Sequence, residues 1–356
     1  MRSFKHSYLL LLSALSLLAT SCSKDDDPIV AEDNLGTGVF IVNQGAFSAS
    51  NASLTFYNTT TKKVTLDVFS AANGTGLGSV ANDAAIYGSK MYITVNVSST
   101  LEVVDPRNGK LIKHIDMKNN GVARQPRYVA FYKNKAYITS YDNTVAVIDT
   151  ASLTIEKFIT VGRNPEQMAI ANGKLYVANS GGLTFGNPDN SVSVIDLNTN
   201  TETKKITVPA NPVSLAADAG GDVYVISAGD YDKILPALTI INGTNDAIKS
   251  SETTDIGYGN TIAIAGNSAY LISGDGKVVV FNTTTDQVSN ANFITGNFKF
   301  ATPFAIAVKE STGEVFVTDA KGYTADGKLY IFSREGAIKD SAATGLIPGK
   351  VVFKNN

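Results

Sequence analysis

The residue types that usually carry chemistry are scarce in this chain. It has two histidines, His6 near the start and His114 in the segment Lys110-Leu-Ile-Lys-His-Ile-Asp116. Cys22 is its single cysteine, and tryptophan is absent. One histidine beyond the N-terminal segment cannot build a histidine-based metal cluster or a Ser-His-Asp relay, and no cysteine nucleophile remains there either. The flanks of His114 place it on an outer strand, solvated or packed. Calcium takes oxygen ligands, so Asn187, Asp189 and Asn190, or Asp230 and Asp232, are the clusters to weigh. Neither spacing matches a calcium loop, and both read as turns. A glycosidase needs a pair of carboxylates, and nothing in the sequence points to one. The expectation is a protein without enzymatic activity, cofactor or bound metal.

The N-terminal residues suggest where such a protein works. Arg2, Lys5 and His6 precede an apolar, leucine-rich run over residues 8–19, too short for an ordinary membrane span. That is the pattern of a secretory signal. Leu18-Ala19-Thr20-Ser21-Cys22 resembles the bacterial lipobox, although Ala19 stands where Leu is usual. The resemblance implies lipidation at Cys22; the alternative is an ordinary cysteine beside a conventional cleavage site. Ser23-Lys24-Asp25-Asp26-Asp27 resembles the acidic surface-export signal of Bacteroidota lipoproteins, which implies an outer-membrane protein facing the cell exterior. A plain solvated tether is the other reading. The chain then divides into a signal over 1–21, a lipidated and acidic tether over 22–36, and a folded part over 37–356. Net charge is −2 with 17% charged residues and no basic patch, which excludes nucleic acid as a partner class.

Any functional residues are positioned by a repeat. Pro126-Arg127-Tyr128-Val129-Ala130 leads to Lys135-Ala136-Tyr137-Ile138-Thr139 and then to Val145-Ala146-Val147-Ile148-Asp149. Pro165 and Pro212 open two further copies. The second-strand aromatic recurs at Tyr92, Tyr137, Tyr176, Tyr224, Tyr270 and Phe316, spaced 45, 39, 48, 46 and 46 residues apart. Short β-branched runs alternate with period two between Asn, Asp, Gly and Pro, and no helical period stands out after the signal. Four short strands per repeat describe a propeller blade. Gly38 to Asn43 matches a second strand with no first strand before it, while Ile347 to Phe353 supplies one at the other end. The expectation is an all-β, seven-bladed propeller whose last strand completes blade one, with inner strands near Asp83, Tyr128, Gln167, Val213, Thr261, Phe304 and Lys350.

Residues 174–212, with Leu-Tyr-Val-Ala-Asn-Ser and Ser-Val-Ser-Val-Ile-Asp, resemble the YVTN repeat of YncE-like propellers. Residues 38–56, together with 303–308 and 313–320, resemble a family of lipid-anchored propellers on Bacteroidota surfaces. That family includes cobalamin-capturing proteins seated over TonB-dependent transporters. The resemblance implies capture of a corrinoid and delivery to such a transporter. Glycan binding or protein interaction is the alternative, and a calcium-dependent, lactonase-like hydrolase a third. The absence of tryptophan removes the docking motifs of quinone-dependent propeller dehydrogenases.

A ligand is expected on the face that carries the loops from second to third strands and the loops leading into each blade. Several of these loops are long and aromatic, whereas third-to-fourth turns such as 58–61 and 282–285 are short. The residues expected on that face are Asn43, Gln44, Phe47, Asn51, Asn96, Arg127, Tyr141, Arg163, Asn179, Phe185, Tyr231, Asp232, Phe298 and Tyr323. Aromatic faces and neutral amides suit a large, weakly charged ligand, and Arg124, Arg127 and Arg163 suit a phosphate. For the asparagines that end second strands, a structural role in the turn is the other reading.

Overall fold

The computed structural model describes residues 34–47, 49–184, 186–255, 257 and 261–355. They form seven four-stranded antiparallel sheets arranged as a β-propeller. The inner strands are Ala81–Tyr87, Pro126–Tyr132, Pro165–Ala171, Pro212–Ala217, Ile262–Ala265, Pro303–Lys309 and Pro348–Lys354. Each lies against the inner strands of the two adjacent blades, which closes the ring. Blade one is assembled from both ends of the chain. Its second strand, Gly38–Asn43, pairs with Ser53–Asn58 on one side and with Pro348–Lys354 on the other, in the register Ile41↔Val351. The closing strand covers an edge whose residues are all buried and which would otherwise be free to pair with another chain.

The second strands are buried along nearly their whole length because adjacent blades cover both of their faces. Phe40, Tyr92, Tyr137, Tyr176, Tyr224, Tyr270 and Phe316 all lie in these cores. Four of the tyrosines reach further. Each sends its hydroxyl to the third-to-fourth turn of the following blade: Tyr92 to the Thr150 carbonyl, Tyr137 to Asn200 Oδ1, Tyr176 to Asp246 Oδ1 and Tyr224 to Asp286 Oδ1. The aromatic that marks the repeat is therefore also a bond between blades. Outermost strands such as Ile155–Thr160 and Thr201–Thr207 are exposed and carry Lys and Glu, which discourages edge pairing.

One element departs from the expectation of no helix. The outer strand of blade one is only Val64–Thr65, and the helix Val68–Asn73 follows it. The Asp67 side chain accepts from Ser70 N at 3.2 Å to cap its start. Gly74, at φ 66, terminates it in the left-handed conformation. Val68 and Phe69 are buried against blades one and two, where a longer outer strand would otherwise lie.

Candidate functional site

The chain leaves each second strand on the same face from which it enters each inner strand, and backbone hydrogen bonds tie the two crossings together. Gln44 N donates to Ile347 O at 2.8 Å, Asn96 N to Val80 O at 2.7 Å, Tyr141 N to Gln125 O at 3.1 Å and Ala228 N to Asn211 O at 2.8 Å. In five blades the residue just before the inner strand, whose carbonyl turns back in this way, adopts positive φ: Val80 59, Gln125 57, Asn164 44, Asn211 61 and Ile347 55. Asparagine tolerates this region, but β-branched Val80 and Ile347 do not, at a strain on the order of 1–3 kcal/mol each. Strained lead-ins held by repeated hydrogen bonds make one rigid rim.

Inside that rim, at the mouth of the central channel, lies a cavity of about 390 Å³. Its floor comes from the inner strands, at the position one residue after each strand begins: Asn82, Arg127, Glu166, Val213 and Phe304. Its wall comes from the loops, including Gln44, Tyr141, Leu183, Tyr231 and Tyr323.

The floor is organised by one buried pair between blades three and four. Arg127 Nε donates to Glu166 Oε2 at 2.8 Å, while the Tyr141 hydroxyl donates to Glu166 Oε1. The guanidinium also lies over the Tyr141 ring, 4.7 Å from its centroid. Burial opposes the charge on Arg127, but the adjacent Glu166 carboxylate outweighs it and holds the guanidinium pKa above its ordinary value. Burial, reinforced by the Glu166 charge, pushes the hydroxyls of Tyr128 and Tyr141 above the usual phenol range. These groups therefore stay protonated and act as hydrogen-bonding surfaces. Below, the Arg127 carbonyl accepts from Asn82 Nδ2 and Thr94 Oγ1, each at 2.7 Å, so the arginine backbone is locked to blade two.

Of the residues expected on the ligand face, Gln44, Arg127, Tyr141, Tyr231 and Tyr323 come together in this cavity. Asn43, Asn96 and Asn179 are buried, and their amides hold the rim. Asn43 Nδ2 donates to Ser53 and Thr55, and Asn96 Nδ2 to the carbonyls of Gln125 and Pro126. Asn179 Nδ2 donates to Ser191 and Ser193, and its Oδ1 accepts from Gly162 N. Asn51 Oδ1 caps its own loop through Ala46 N, and Phe47 is 73% exposed on that loop. Arg163 and Asp232 stand outside the cavity lining, Arg163 beside Asp189 at 3.8 Å and Asp232 exposed in its turn. Phe298 is half-buried, with its ring 4.8 Å from those of Phe300 and Tyr330. Phe185 and Cys22 lie outside the described residues.

Sequence reasoning passed over Asn82, Glu166 and Asn211, yet the repeat contained the signal. Aligned at the start of each inner strand, the next position gives Asn82, Arg127, Glu166, Val213 and Phe304, unlike side chains at one point of the repeat, and Asn211 stands at the same lead-in position as Asn164. The arginines expected to meet a phosphate are all paired: Arg124 with Asp142, Arg127 with Glu166 and Arg163 with Asp189. The clusters weighed for calcium serve their own loops, since Asp230 Oδ1 accepts from the backbone N–H of Asp232, Lys233 and Ile234. Asp189 accepts from Arg163 N and Ser191 Oγ. Among the described residues, no helix is long and apolar enough to cross a membrane.

A family model described as a domain of unknown function, DUF5074, matches residues 37–326. The chain belongs to the DUF5074 family. Three solved structures resemble this DUF5074 propeller. A quinoprotein alcohol dehydrogenase-like protein from Bacteroides thetaiotaomicron is 18% identical with a TM-score of 0.68, over 90% of this chain and 79% of that one. Hydrazine synthase from Kuenenia stuttgartiensis is 15% identical with a TM-score of 0.62, over 76% of this chain and 89% of that one. The computationally designed protein Ika8 is 13% identical with a TM-score of 0.58, over 91% and 98%. At these identities the likeness concerns the fold alone. No curated protein sequence matches the DUF5074 chain.

Proposed function

We propose that this protein is a non-enzymatic cell-surface lipoprotein that binds a small nutrient, a corrinoid such as cobalamin, for delivery to an outer-membrane transporter. The observation that carries the binding role is the cavity at the channel mouth, where amides, aromatic rings and a self-neutralised Arg127–Glu166 pair converge on a rigid rim. A preformed face loses little conformational freedom on binding, which favours capture. The absence of an enzymatic step fits the same lining, because its two charged side chains are engaged with each other. A corrinoid is larger than about 390 Å³, so it would lie across the face with one edge seated in the cavity. The lipid on Cys22, the outward orientation and the transporter rest on the sequence features near the N-terminus and on the family resemblance.

Calorimetric titration of the full chain, held in detergent, with cobalamin tests the reading. One-to-one binding that weakens in Tyr231→Ala is the expected result, and absence of heat would sink the corrinoid. A neutral glycan is the second reading, favoured by one observation: the arginines near the rim are already paired with carboxylates.

A further inference from the structure

We infer that the cavity seats an uncharged group that both donates and accepts hydrogen bonds, either a carboxamide or neighbouring hydroxyls, and disfavours anions such as phosphate. The inference rests on the reading of this cavity as the ligand site, and it names the chemistry that site selects.

The first part of the argument is charge. Arg127 and Glu166 are the only charged side chains among the described residues of the lining, and they neutralise each other at 2.8 Å. An anion entering the cavity would lose its hydration and meet a buried carboxylate beside the guanidinium, with no surplus positive charge to compensate. The neighbouring arginines offer none, since Arg124 and Arg163 have carboxylate partners of their own.

The second part is unused hydrogen-bonding capacity. Both Glu166 oxygens are occupied, one by Arg127 Nε and the other by Tyr141. The Arg127 Nη groups form no hydrogen bond among the described residues, and neither do the side-chain amides of Gln44 and Asn211. Asn211 is only 3% exposed as a whole residue and lines the cavity, so its side-chain amide is presented to that space rather than to another part of the protein. Its backbone is fixed at φ 61 and its carbonyl is bonded to Ala228 N, so the side chain is carried on a held frame. Guanidinium N–H groups donate only, whereas amides donate and accept. A neutral carboxamide or diol matches that mixed set, whereas a phosphate, mainly an acceptor, leaves the amide oxygens poorly matched and brings in uncompensated charge.

The test uses two matched pairs titrated into the full chain in detergent. One pair is a neutral trisaccharide and its uronate counterpart; the other is dicyanocobinamide, which lacks phosphate, and its phosphate ester. The neutral sugar should bind at least tenfold tighter than the uronate, or dicyanocobinamide at least as tightly as its ester. Inorganic phosphate should not compete. Asn211→Asp and Gln44→Glu keep shape but exchange a donor for a charge, and each should weaken the neutral ligand tenfold or more without altering the circular dichroism spectrum. Tighter binding of either anionic member, no binding of either neutral one, or unchanged affinity in both variants overturns the inference. Sugar binding without corrinoid binding would remove the corrinoid and leave the inference standing. Preference for the phosphate ester would do the reverse.

Discussion

The hydroxyl of Tyr224, at the centre of blade five, donates to Asp286 Oδ1 in blade six at 2.9 Å. Its ring is fully buried in its own blade, so one side chain serves both the core and the seam between blades. Tyr176 repeats the arrangement one blade earlier, with Asp246 at 2.5 Å. Lys174 and Lys249 complete the clusters, bonding Asp246 at 2.8 Å and Asp286 at 3.0 Å.

Removing the hydroxyl alone should loosen the seam without emptying the core. Tyr224→Phe keeps the ring and leaves Asp286 bonded to Lys249, so the loss is expected at about 1.5–2 kcal/mol, the low end of the range for a hydrogen bond to a charged partner. Urea denaturation checks this, with the midpoint falling and the slope unchanged. An unaltered midpoint would mean that the bond adds nothing net.

The same burial sets the alkaline limit of the fold. Burial, aided by the charge of Asp149, pushes the Tyr92 hydroxyl up to about 12. Burial likewise pushes Tyr137 up to about 12, against the opposing charge of Lys135. The folded state thus holds these protons more tightly than the unfolded chain, whose phenols titrate near 10. Their contribution is complete below pH 10 and is lost as pH rises toward 12. Thermal melts across that window should show a steadily falling midpoint. Tyrosinate absorbance should rise late in the native protein and near 10 in urea.

The Arg127–Glu166 pair separates stability from binding. Glu166→Gln leaves a buried guanidinium without its counter-charge and should cost about 3–5 kcal/mol. Arg127→Met combined with Glu166→Leu removes both charges and should recover most of that loss, because a hydrophobic replacement of a whole buried pair is often tolerated. The double variant should nevertheless bind ligand poorly. Denaturation and titration of the same samples separate the two effects, and a double variant less stable than Glu166→Gln would contradict this account of the pair.

The fold was legible because its repeat is dictated by packing. Tyr137, Tyr176 and Tyr224 mark strands covered on both faces, and the unpaired strand beginning at Gly38 required a partner from the far end of the chain. The cavity was only half legible. Loop residues such as Gln44 and Tyr231 announced themselves by standing in long, aromatic connections, and Tyr141 by following directly on a second strand. Glu166 and Asn82 did not, because a polar residue near the start of a short strand looks like a turn until the strands are placed around an axis. Asn43 and Asn179 pointed the other way: an amide at a strand end reads equally as ligand contact or as cap, and burial assigns their hydrogen bonds to the rim. The pairing of Arg124, Arg127 and Arg163 was hidden because their partners come from separate segments of the chain.

Ring closure gives the most severe expectation. Deleting residues 347–356 removes the inner strand of blade one and exposes Gly38–Asn43, six consecutive buried residues, as a free edge. The truncated chain should aggregate rather than fold to a six-bladed ring, since the remaining blades would have to close a narrower circle around unchanged cores. Because Gly38 and Lys354 are direct partners in the ladder, the two ends can instead be joined by a short linker. The chain can then be opened between Glu310 and Ser311, an exposed turn of blade seven. That permutant carries the closing strand within a continuous hairpin and should fold with a near-native circular dichroism spectrum, losing only a few degrees in melting temperature. Soluble, cooperatively folded truncated protein would show that the last strand is dispensable, and a permutant that fails to fold would show that closure depends on the order of strands as well as on their contacts.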